Sequence, residues 1–411
     1  MQMINLAMTS KRRKNNKPVR LSFAETPSIP INIEPSSADK VASNVDLLMD
    51  ILSRLPTRLL VRSMCVSQEW TTLIRNPTFQ KLRNPNPEPP SGLFIAVSKN
   101  EYAKCEFVPY DIGNPVKPPP LTPNFDPEAN IFFIRNAVNG LFLCTGLRGK
   151  DYVYNPTINQ FSKLPIRDTD SYLLGMSIAF DPSISPHYKI AYVYFLEERI
   201  FEIRVYSSET HTCKTACIVN LDYDISNTPI KMEFKGGVYW NNAVHWISDH
   251  RFVLYFNFDR ELIHKISTPS VRKNLNYIFE SRGHFLDVEM SDPVDSTLKI
   301  HELKRDYSEW FVKYIVNLKE LGWSFPRLFR RGSPVALQTA VLDLVLGEKD
   351  DDSFLVLEIP WTVVRYNLVS KTFHKLHDFT TYPNCSRPMK GQSPILRWPL
   401  AYQFREFIFS L

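Results

Sequence analysis

A short hairpin pattern recurs along the chain after Gly92. Each copy has an apolar strand, a polar turn and a second strand, as in "YVYNPTINQFSKLP" at residues 152–165. Matching residues of five copies follow each other at steps of 52, 50, 45 and 65 residues, and they are Tyr154, Tyr206, Phe256, His301 and Tyr366. A repeat of about 50 residues built from hairpins is typical of the four-stranded blades of a β-propeller. The repeat therefore predicts a propeller, with an array of β-sandwiches as the alternative fold.

The two ends of this β-region are predicted to close the ring. Residues 93–110 resemble a further blade unit in composition, and "LAYQFREFIFSL" at residues 400–411 supplies strands that can pair with it. Closure removes the unpaired strand edges that an open sheet of this size would expose. Together with the five repeats, this pattern predicts an all-β domain of about six or seven blades over residues 93–411.

Residues 44–82 have a helical rather than a strand-like periodicity. Apolar residues recur along one helix face over about three turns, at Leu47, Leu48, Ile51, Leu52 and Leu55. Asn44 or Asp46 can cap this first helix, because a short polar side chain accepts a hydrogen bond from an unpaired backbone N–H. Pro56 ends the helix, since proline has no N–H to donate to the preceding turn.

Two further short helices and a linker follow. Thr57 is predicted to cap the second helix, and the third contains Trp70 and ends before Pro77. The stretch "RNPNPEPPSG" at residues 83–92 has four prolines, which predicts a stiff spacer that holds the helices away from the β-domain. Three helices in about 40 residues are too small to bury a core of their own. Their remaining apolar residues are therefore predicted to contact a partner protein.

The positive charge of the chain is concentrated near its N-terminus. The net charge is +6, and residues 1–43 alone contain seven basic and three acidic residues. This polar, proline-containing segment is predicted to be disordered. Its basic cluster is either a nuclear import signal or a solvated tail without a specific function, and consists of Lys11, Arg12, Arg13 and Lys14. Because the rest of the chain carries only +2, no nucleic-acid partner is expected.

Targeting and cysteine patterns point to a reducing compartment. The sequence has no apolar run long enough to span a membrane and no secretory signal, so no membrane partner is expected. Its six cysteines are scattered and form no C-x-x-C pair, which favours free thiols over disulfides. We therefore expect the protein in the nucleus, the cytoplasm or both.

The stretch "DLLMDILSRLPTRLLVRSMCVSQEWTTLIRNPTF" at residues 46–79 resembles an F-box. The family pattern has an acidic-led Leu-Leu run, then Ile-Leu, Leu-Pro and Cys-Val pairs, a spaced tryptophan and a final Pro-x-Phe, all present here in that order. Asn44-Val45 stands where the family has a Leu-Pro pair that helps to dock the partner, which predicts weaker docking. Stretches such as "NGLFLC" and "GGVYWNNAVHWIS" resemble the F-box-associated, kelch-like β-domain of plant F-box proteins.

The resemblance implies an α+β multidomain protein with an F-box at residues 44–82, a linker at 83–92 and a substrate-binding β-propeller-like domain at 93–411. It implies a non-catalytic subunit of an SCF-type ubiquitin ligase, with no cofactor. The F-box is expected to bind a Skp-type adaptor, and through it cullin and RING subunits, while the β-domain binds an unidentified target protein. The residues expected to contact the adaptor are Leu48, Leu55, Pro56, Leu60, Val66 and Trp70. Those expected to be internal are Ile51, Leu52, Cys65 and Leu73.

Other candidate sites carry less weight. Cys213 and Cys217 belong to one predicted strand with His211, but the two thiols would be about 13 Å apart, too far for one tetrahedral metal ion, so no metal is expected. Asp287 and Glu289 share a strand face, which keeps a propeller glycosidase conceivable. The alternative function is therefore a β-propeller scaffold or enzyme whose helical segment only caps the β-domain.

Overall fold

The protein is described by a computed structural model that covers most of the chain. The described residues are 37–83, 89–99, 102–111, 113, 132–146, 149–167, 171–197, 200–220, 232, 234–248, 252–269, 276–292, 294, 296–329, 332, 334–335, 338–379, 401–408 and 411. They fall into two compact units, one that ends at Leu48 and one that begins at Met49. No helix among these residues is long and apolar enough to cross a membrane.

Among the described residues, five short α-helices precede the β-region and a sixth lies within it. They are α1 Ser37–Ser43, α2 Val45–Ser53, α3 Thr57–Ser63, α4 Gln68–Arg75, α5 Pro77–Arg83 and α6 Lys319–Ser324. The three predicted helices correspond to α2, α3 and α4. Helix α1 lies at the end of the segment 1–43 for which disorder is predicted, and residues 1–36 of that segment lie outside the described residues. The sequence reasoning missed α5, because Pro77 both follows the end of α4 and occupies the favoured first position of the next helix.

The helix caps agree with the predictions in part. The side-chain oxygen of Asn44 accepts a hydrogen bond from the backbone N–H of Leu47 at 3.1 Å, which confirms one of the two proposed caps of α2. The predicted Thr57 cap is wrong. Helix α3 begins at Thr57 itself, its N-cap is Pro56, and this end has no side-chain cap. The Thr57 hydroxyl instead accepts a hydrogen bond from the guanidinium of Arg83 at 2.9 Å.

The β-region forms a propeller of six blades, so the lower of the two predicted blade numbers is correct. Blades 2 to 4 each contain four antiparallel strands in chain order, with bounds β3 Phe132–Val138, β4 Leu141–Gly146, β5 Asp151–Asn155, β6 Gln160–Lys163, β7 Tyr172–Ala179, β8 Lys189–Glu197, β9 Ile200–Ser207, β10 Thr212–Asn220, β11 Val238–Trp240, β12 Ala243–Ile247, β13 Phe252–Asn257 and β14 Leu262–Ser267. Blades 5 and 6 follow the same order, with β15 Asn276–Ser281, β16 His284–Asp292, β17 Thr297–Leu303, β18 Trp310–Asn317, β19 Ala340–Val345, β20 Phe354–Ile359, β21 Thr362–Asn367 and β22 Phe373–Asp378.

Blade 1 closes the ring with strands from both ends of the β-region. Its strands are β1 Gly92–Lys99, β2 Tyr102–Pro109 and β23 Ala401–Phe404, in the order β2-β1-β23. Strand β23 pairs antiparallel with β1, so that Gly92 lies opposite Phe404 and Ile95 lies opposite Ala401. The predicted pairing of the C-terminal strands with residues 93–110 is therefore confirmed.

The repeat seen in the sequence matches equivalent positions of the blades. The five aligned residues all lie on the third strand of their blade: β5, β9, β13, β17 and β21. The long step of 65 residues has a structural cause, since α6 is inserted between β18 and β19. The first strands of neighbouring blades contact one another around the ring and line its axis, with β23 as the inner strand of blade 1.

An apolar core fills each of the six boundaries between blades. On β1, alternate side chains serve different boundaries, because successive residues of a strand point to opposite faces. Leu93 and Ile95 pack with blade 6, whereas Phe94 between them packs with blade 2. Each blade therefore buries both faces within the ring.

Candidate functional site

Several large apolar side chains of the helical segment are exposed. In the unit that begins at Met49, they are Ile51, Leu59, Val66 and Leu82, which we call the exposed apolar set. In the unit that ends at Leu48, Val45 and Leu47 are also exposed. The contrast within α3 is sharp, since the side chain of Leu59 is 43% exposed and that of its neighbour Leu60 is 0% exposed. Unpartnered apolar residues at this density are typical of a binding surface.

The residues predicted to contact an adaptor differ in their accessibility. Pro56 and Val66 are exposed, Leu55 and Trp70 are half-buried, and Leu48 and Leu60 are buried. The buried position of Leu60 gives it a role in the interior of the helical segment, and its contact with an adaptor stays a prediction. Leu59 and Leu82 were missed, because two adjacent leucines do not reveal which one faces inward until the neighbouring helices are placed.

The residues predicted to be internal also divide. Leu52 is buried as predicted and Leu73 is half-buried, whereas Ile51 and Cys65 are exposed, which corrects the prediction for those two. Cys65 follows the end of α3, in the turn that leads to α4, so it lies off the buried face of either helix.

Arg83, at the end of α5, holds the turn between α2 and α3. Its guanidinium donates hydrogen bonds to the carbonyl oxygen of Leu55 at 3.0 Å and to the hydroxyl of Thr57 at 2.9 Å. Both acceptors flank Pro56, so the turn has a fixed shape while Pro56 itself stays exposed. No sequence pattern indicated this contact, because Arg83 was assigned to the linker.

The turn between α3 and α4 is also fixed by side chains. The hydroxyl of Thr71 lies 2.6 Å from the carbonyl oxygen of Met64, and the Ser67 hydroxyl accepts a hydrogen bond from the N–H of Trp70 at 3.1 Å. These contacts hold the turn in a shape that leaves Val66 64% exposed. The exposed apolar set is therefore presented by ordered helix ends.

The helices contact the propeller through an ion pair. The Nε of Arg58 on α3 lies 2.8 Å from a carboxylate oxygen of Glu406, which follows β23. The Arg58 side chain is 46% exposed and that of Glu406 is 13% exposed. The predicted spacing of the helices from the β-domain is therefore wrong for α3, while the middle of the linker, residues 84–88, lies outside the described residues.

The inner strands define two faces of the ring. On one side of the ring, hydrogen bonds connect the C-terminal ends of neighbouring inner strands. The side-chain amide of Asn139 donates to the carbonyl of Phe180, and the indole N–H of Trp240 donates to the carbonyl of Gly283. We call this side the end face and the opposite side the start face. Glu406 comes two residues after the end of β23 and therefore lies on the end face.

The start face of blade 3 exposes a group of large apolar side chains. Tyr172, the first residue of β7, is 71% exposed and lies opposite Phe195 in the strand register. Ile166 in the preceding connection and Leu196 next to Phe195 are exposed as well. Residues of this size on connections at one face of a rigid ring are typical of a protein-binding site.

The axis of the ring contains a cavity of about 120 Å³, lined by five of the six inner strands. Burial raises the pKa values of the carboxyl groups of Glu280 and Asp343 in its wall. Asp343 accepts hydrogen bonds from the Tyr110 hydroxyl, from the side chain of Gln403 at 2.9 Å and from the Leu344 N–H at 2.9 Å. These bonds join blades 1 and 6, so Asp343 has a structural role.

The other polar residues raised by the sequence do not form an accessible site. Asp287 is fully buried. Its pKa is raised to about 8, mainly by burial and to a smaller extent by repulsion from Glu289. A substrate cannot reach this carboxyl group, which argues against a glycosidase. Buried His245 has a pKa lowered to about 3 by burial and bonds to the Tyr307 hydroxyl at 3.1 Å, so it has a structural role.

Neither the cysteines nor the basic cluster adds a site among the described residues. A bulge between Thr215 and Cys217 shifts the register within β10, the strand that contains Cys213 and Cys217. The described residues contain no group of three His, Cys, Asp or Glu that could hold a metal ion. The described cysteines are free thiols: Cys65, Cys105, Cys144, Cys213 and Cys217. The basic cluster, Lys11 to Lys14, lies outside the described residues, as does Cys385.

Comparison with known proteins gives matches over the helical segment and over nearly the whole chain. The F-box domain family matches residues 44–82. An F-box protein of Arabidopsis thaliana is 30% identical over 382 residues, which cover 85% of this chain and 89% of that protein. A putative F-box/kelch-repeat protein of the same plant is 25% identical and covers 63% of this chain and 71% of its own length. Another F-box protein of A. thaliana is 24% identical, with 69% and 81% covered.

Proposed function

Because the chain belongs to the family of F-box proteins, we propose that it is the substrate-recognition subunit of an SCF-type cullin–RING ubiquitin ligase. In this role the helical segment binds a Skp-type adaptor, and the propeller binds a target protein. The observation that carries the proposal is the exposed apolar set, which lies within residues 44–82. Exposed apolar residues of this kind usually mark a surface that a partner protein covers.

The adaptor surface consists of exposed side chains on ordered turns. Leu59 and Val66 supply apolar contact area, and Pro56 lies at a turn that Arg83 holds in place. Trp70 is half-buried and adds an aromatic side chain of the kind that is enriched in the centres of interfaces. Val45 replaces part of the usual docking pair, and its exposed side chain contributes a smaller contact than that pair would.

The start face of the propeller binds the target. The helices contact the ring through Glu406 on the end face, which supports an open position for the start face. Tyr172 and its exposed neighbours provide the apolar centre of the target site. The chain itself acts by proximity: it brings target lysines close to a charged ubiquitin-conjugating enzyme, and other subunits supply the chemistry.

Adaptor binding is tested by charged substitutions at two exposed leucines, Leu59 on α3 and Leu262 on the ring. Leu59→Glu places a charge on the exposed apolar set, so we expect loss of binding to a purified Skp-type adaptor without loss of helicity. Leu262→Glu is the matched control, because Leu262 is 53% exposed on β14, and it should bind as the wild type does. Failure of the wild-type chain to bind under conditions in which a known F-box protein binds would refute the proposal.

The target site is tested by cross-linking in cells. Tyr172→Glu should remove cross-linked proteins that the wild-type chain captures at the start face, while adaptor binding stays unchanged. Phe311→Glu, at an exposed phenylalanine on β18, is the control and should retain them. Equal cross-linking by all three chains would show that the target binds elsewhere.

The second candidate function is a propeller scaffold whose helices only cap the ring. The contact between Arg58 and Glu406 favours it, because a capping segment requires such contacts. A double variant, Leu55→Asp with Pro56→Ala, separates the two functions. For an F-box protein we expect loss of adaptor binding with an unchanged melting temperature of the ring, whereas a cap would lower the melting temperature of the whole chain.

We also propose that the protein is located in the nucleus, the cytoplasm or both. Replacement of Lys11, Arg12, Arg13 and Lys14 by alanine should shift a fluorescent fusion out of the nucleus if the cluster is an import signal. An unchanged nuclear fraction would assign the cluster to a solvated tail.

A further inference from the structure

The residues that follow β23 make a series of long-range contacts on the end face of the ring. We call residues 405–408 the C-terminal latch. Strand β23 has already closed the ring by pairing with β1. The next three residues then make contacts that are distant in the sequence: Arg405 and Phe407 contact blade 2, and Glu406 contacts helix α3.

Arg405 contacts the neighbouring blade 2. Its side chain is buried, and its Nη1 lies 3.4 Å from the side-chain oxygen of Asn139. Burial lowers the pKa of the guanidinium, and the carboxylates of Glu280 and Asp343 from blades 5 and 6 oppose that shift. A buried cation surrounded by groups from three other blades cannot move without loss of these interactions.

Phe407 is also held by blade 2. Its backbone N–H donates to the hydroxyl of Thr157 at 3.0 Å, and its carbonyl oxygen accepts from the side chain of Asn155 at 3.1 Å. The ring of Phe407 packs against that of Phe180 with the centroids 5.7 Å apart. Ile408 after it is fully buried.

Glu406 therefore lies between two anchored residues, and its backbone position is fixed by both neighbours. Its carboxylate lies 2.8 Å from the Nε of Arg58 on α3. Helix α3 is in turn tied to the end of α5 through the bonds of Arg83. A continuous set of contacts thus runs from the closed ring, through Glu406, to the helices.

We propose that Glu406 is a positioning residue that fixes the orientation of the helices on the propeller through its ion pair with Arg58. The distance between the exposed apolar set and the start face is then set by a rigid contact rather than by the length of the proline-containing linker. The consequence for ubiquitin transfer rests on the proposed function. Only when the helical segment is bound to an adaptor does this distance determine how far the target lies from the ubiquitin-conjugating enzyme.

The proximity of the two side chains makes a charge-swap experiment possible. Labels placed on Thr72 of α4 and on Asp259 of the ring, both exposed, report the distance between helices and propeller in the full chain by single-molecule energy transfer. Glu406→Arg should increase the population outside the wild-type distance about five-fold, which corresponds to about 1 kcal/mol. Arg58→Glu should do the same, and the double variant with both changes should restore the wild-type distribution.

Two further variants guard against a trivial result. Arg62→Glu changes an exposed arginine on the same helix and should leave the distance distribution unchanged. Glu406→Gln keeps the shape of the side chain, so it should fold like the wild type and still widen the distribution. The inference is overturned if Glu406→Arg leaves the distance unchanged, or if the double variant shows no recovery.

Adaptor binding is measured on the same proteins as an independent readout. Glu406→Arg should bind a purified Skp-type adaptor as tightly as the wild type, since Glu406 belongs to the ring. A wild-type chain that binds no adaptor would refute the proposed function, yet the distance measurement would still decide the role of Glu406. The two failures are therefore distinguishable.

Discussion

The helical segment and the propeller ring differ in how completely they bury their apolar residues. In the ring, each boundary between blades contains its own apolar core, and adjacent residues such as Leu93 and Phe94 serve two different boundaries. In the helices, the neighbours Leu59 and Leu60 differ from 43% to 0% exposure. The ring buries both faces of its strands, whereas each short helix buries only one side.

The difference follows from size. A closed ring of six sheets lets every blade cover its neighbour, so it needs no further protein for its core. A helical segment of about 40 residues cannot cover all of its own apolar surface. The ring is therefore expected to tolerate substitutions on its outer surface and to lose stability when its core is changed. In α3 the exposed Leu59 and the buried Leu60 are neighbours, so a substitution at the first is expected to affect binding and one at the second to affect stability.

The largest expected effect is on the core of the ring. Trp246 is buried between blades 3 and 4 and donates its indole N–H to the hydroxyl of Ser177 at 3.2 Å. Trp246→Ala should lower the free energy of unfolding by about 3–5 kcal/mol, because it removes a large buried side chain and leaves a cavity. Urea denaturation measures this, with Trp323→Ala as the control, since Trp323 is exposed on α6 and should change stability by less than about 0.5 kcal/mol.

The next effect separates the two sides of α3. Leu60→Ala should lower the stability of the helical segment by about 2–5 kcal/mol, since the side chain is fully buried. Hydrogen exchange of the α3 and α4 amides measures the loss. Leu59→Ala should leave exchange nearly unchanged but weaken adaptor binding. Equal exchange in the two variants would contradict the division of α3 into an inner and an outer side.

Much of the ring could be predicted from the sequence, because its units repeat. The aligned residues from Tyr154 to Tyr366 all lie on third strands, and the closure of blade 1 followed from the need to pair free edges. The blade number could not be fixed in advance, since the insertion of α6 stretches one step of the repeat to 65 residues.

The helical segment was predicted less completely, for reasons of long-range contact. Periodicity located α2, α3 and α4, but it could not decide between Leu59 and Leu60, since a local pattern does not show how neighbouring helices pack. The Thr57 cap was wrong because Arg83, 26 residues later, takes up the Thr57 hydroxyl. The ion pair of Arg58 joins residues 348 positions apart, and no local pattern encodes it.

A third expected effect concerns pH and a buried acid of blade 5. Asp287 has a pKa raised from 3.8 to about 8, so the folded chain keeps a proton that the unfolded chain releases above about pH 4. This group therefore makes stability fall as pH rises from about 4 to 8, by up to about 1.4 kcal/mol per pH unit, with no further loss above 8.

Asp287→Asn removes this titration and tests it. The variant should gain stability over the wild type progressively between pH 5 and 8 in urea denaturation. The comparison of the two proteins assigns the pH dependence to Asp287, because the substitution changes only this side chain. A difference that is constant across this range would show that Asp287 is ionised when folded.

The smallest expected effect concerns the order of the turn that exposes Val66. Ser67 caps α4 by accepting the N–H of Trp70, so Ser67→Ala should lower the stability of α4 by about 1 kcal/mol. Ser67→Asp is the matched control, because aspartate caps equally well and should retain the wild-type hydrogen exchange of the α4 amides. If binding depends on an ordered turn, Ser67→Ala should weaken adaptor binding modestly and Ser67→Asp should not. If both variants bind like the wild type while α4 exchanges faster only in Ser67→Ala, then the exposed side chains alone, and not the order of the turn, determine adaptor affinity.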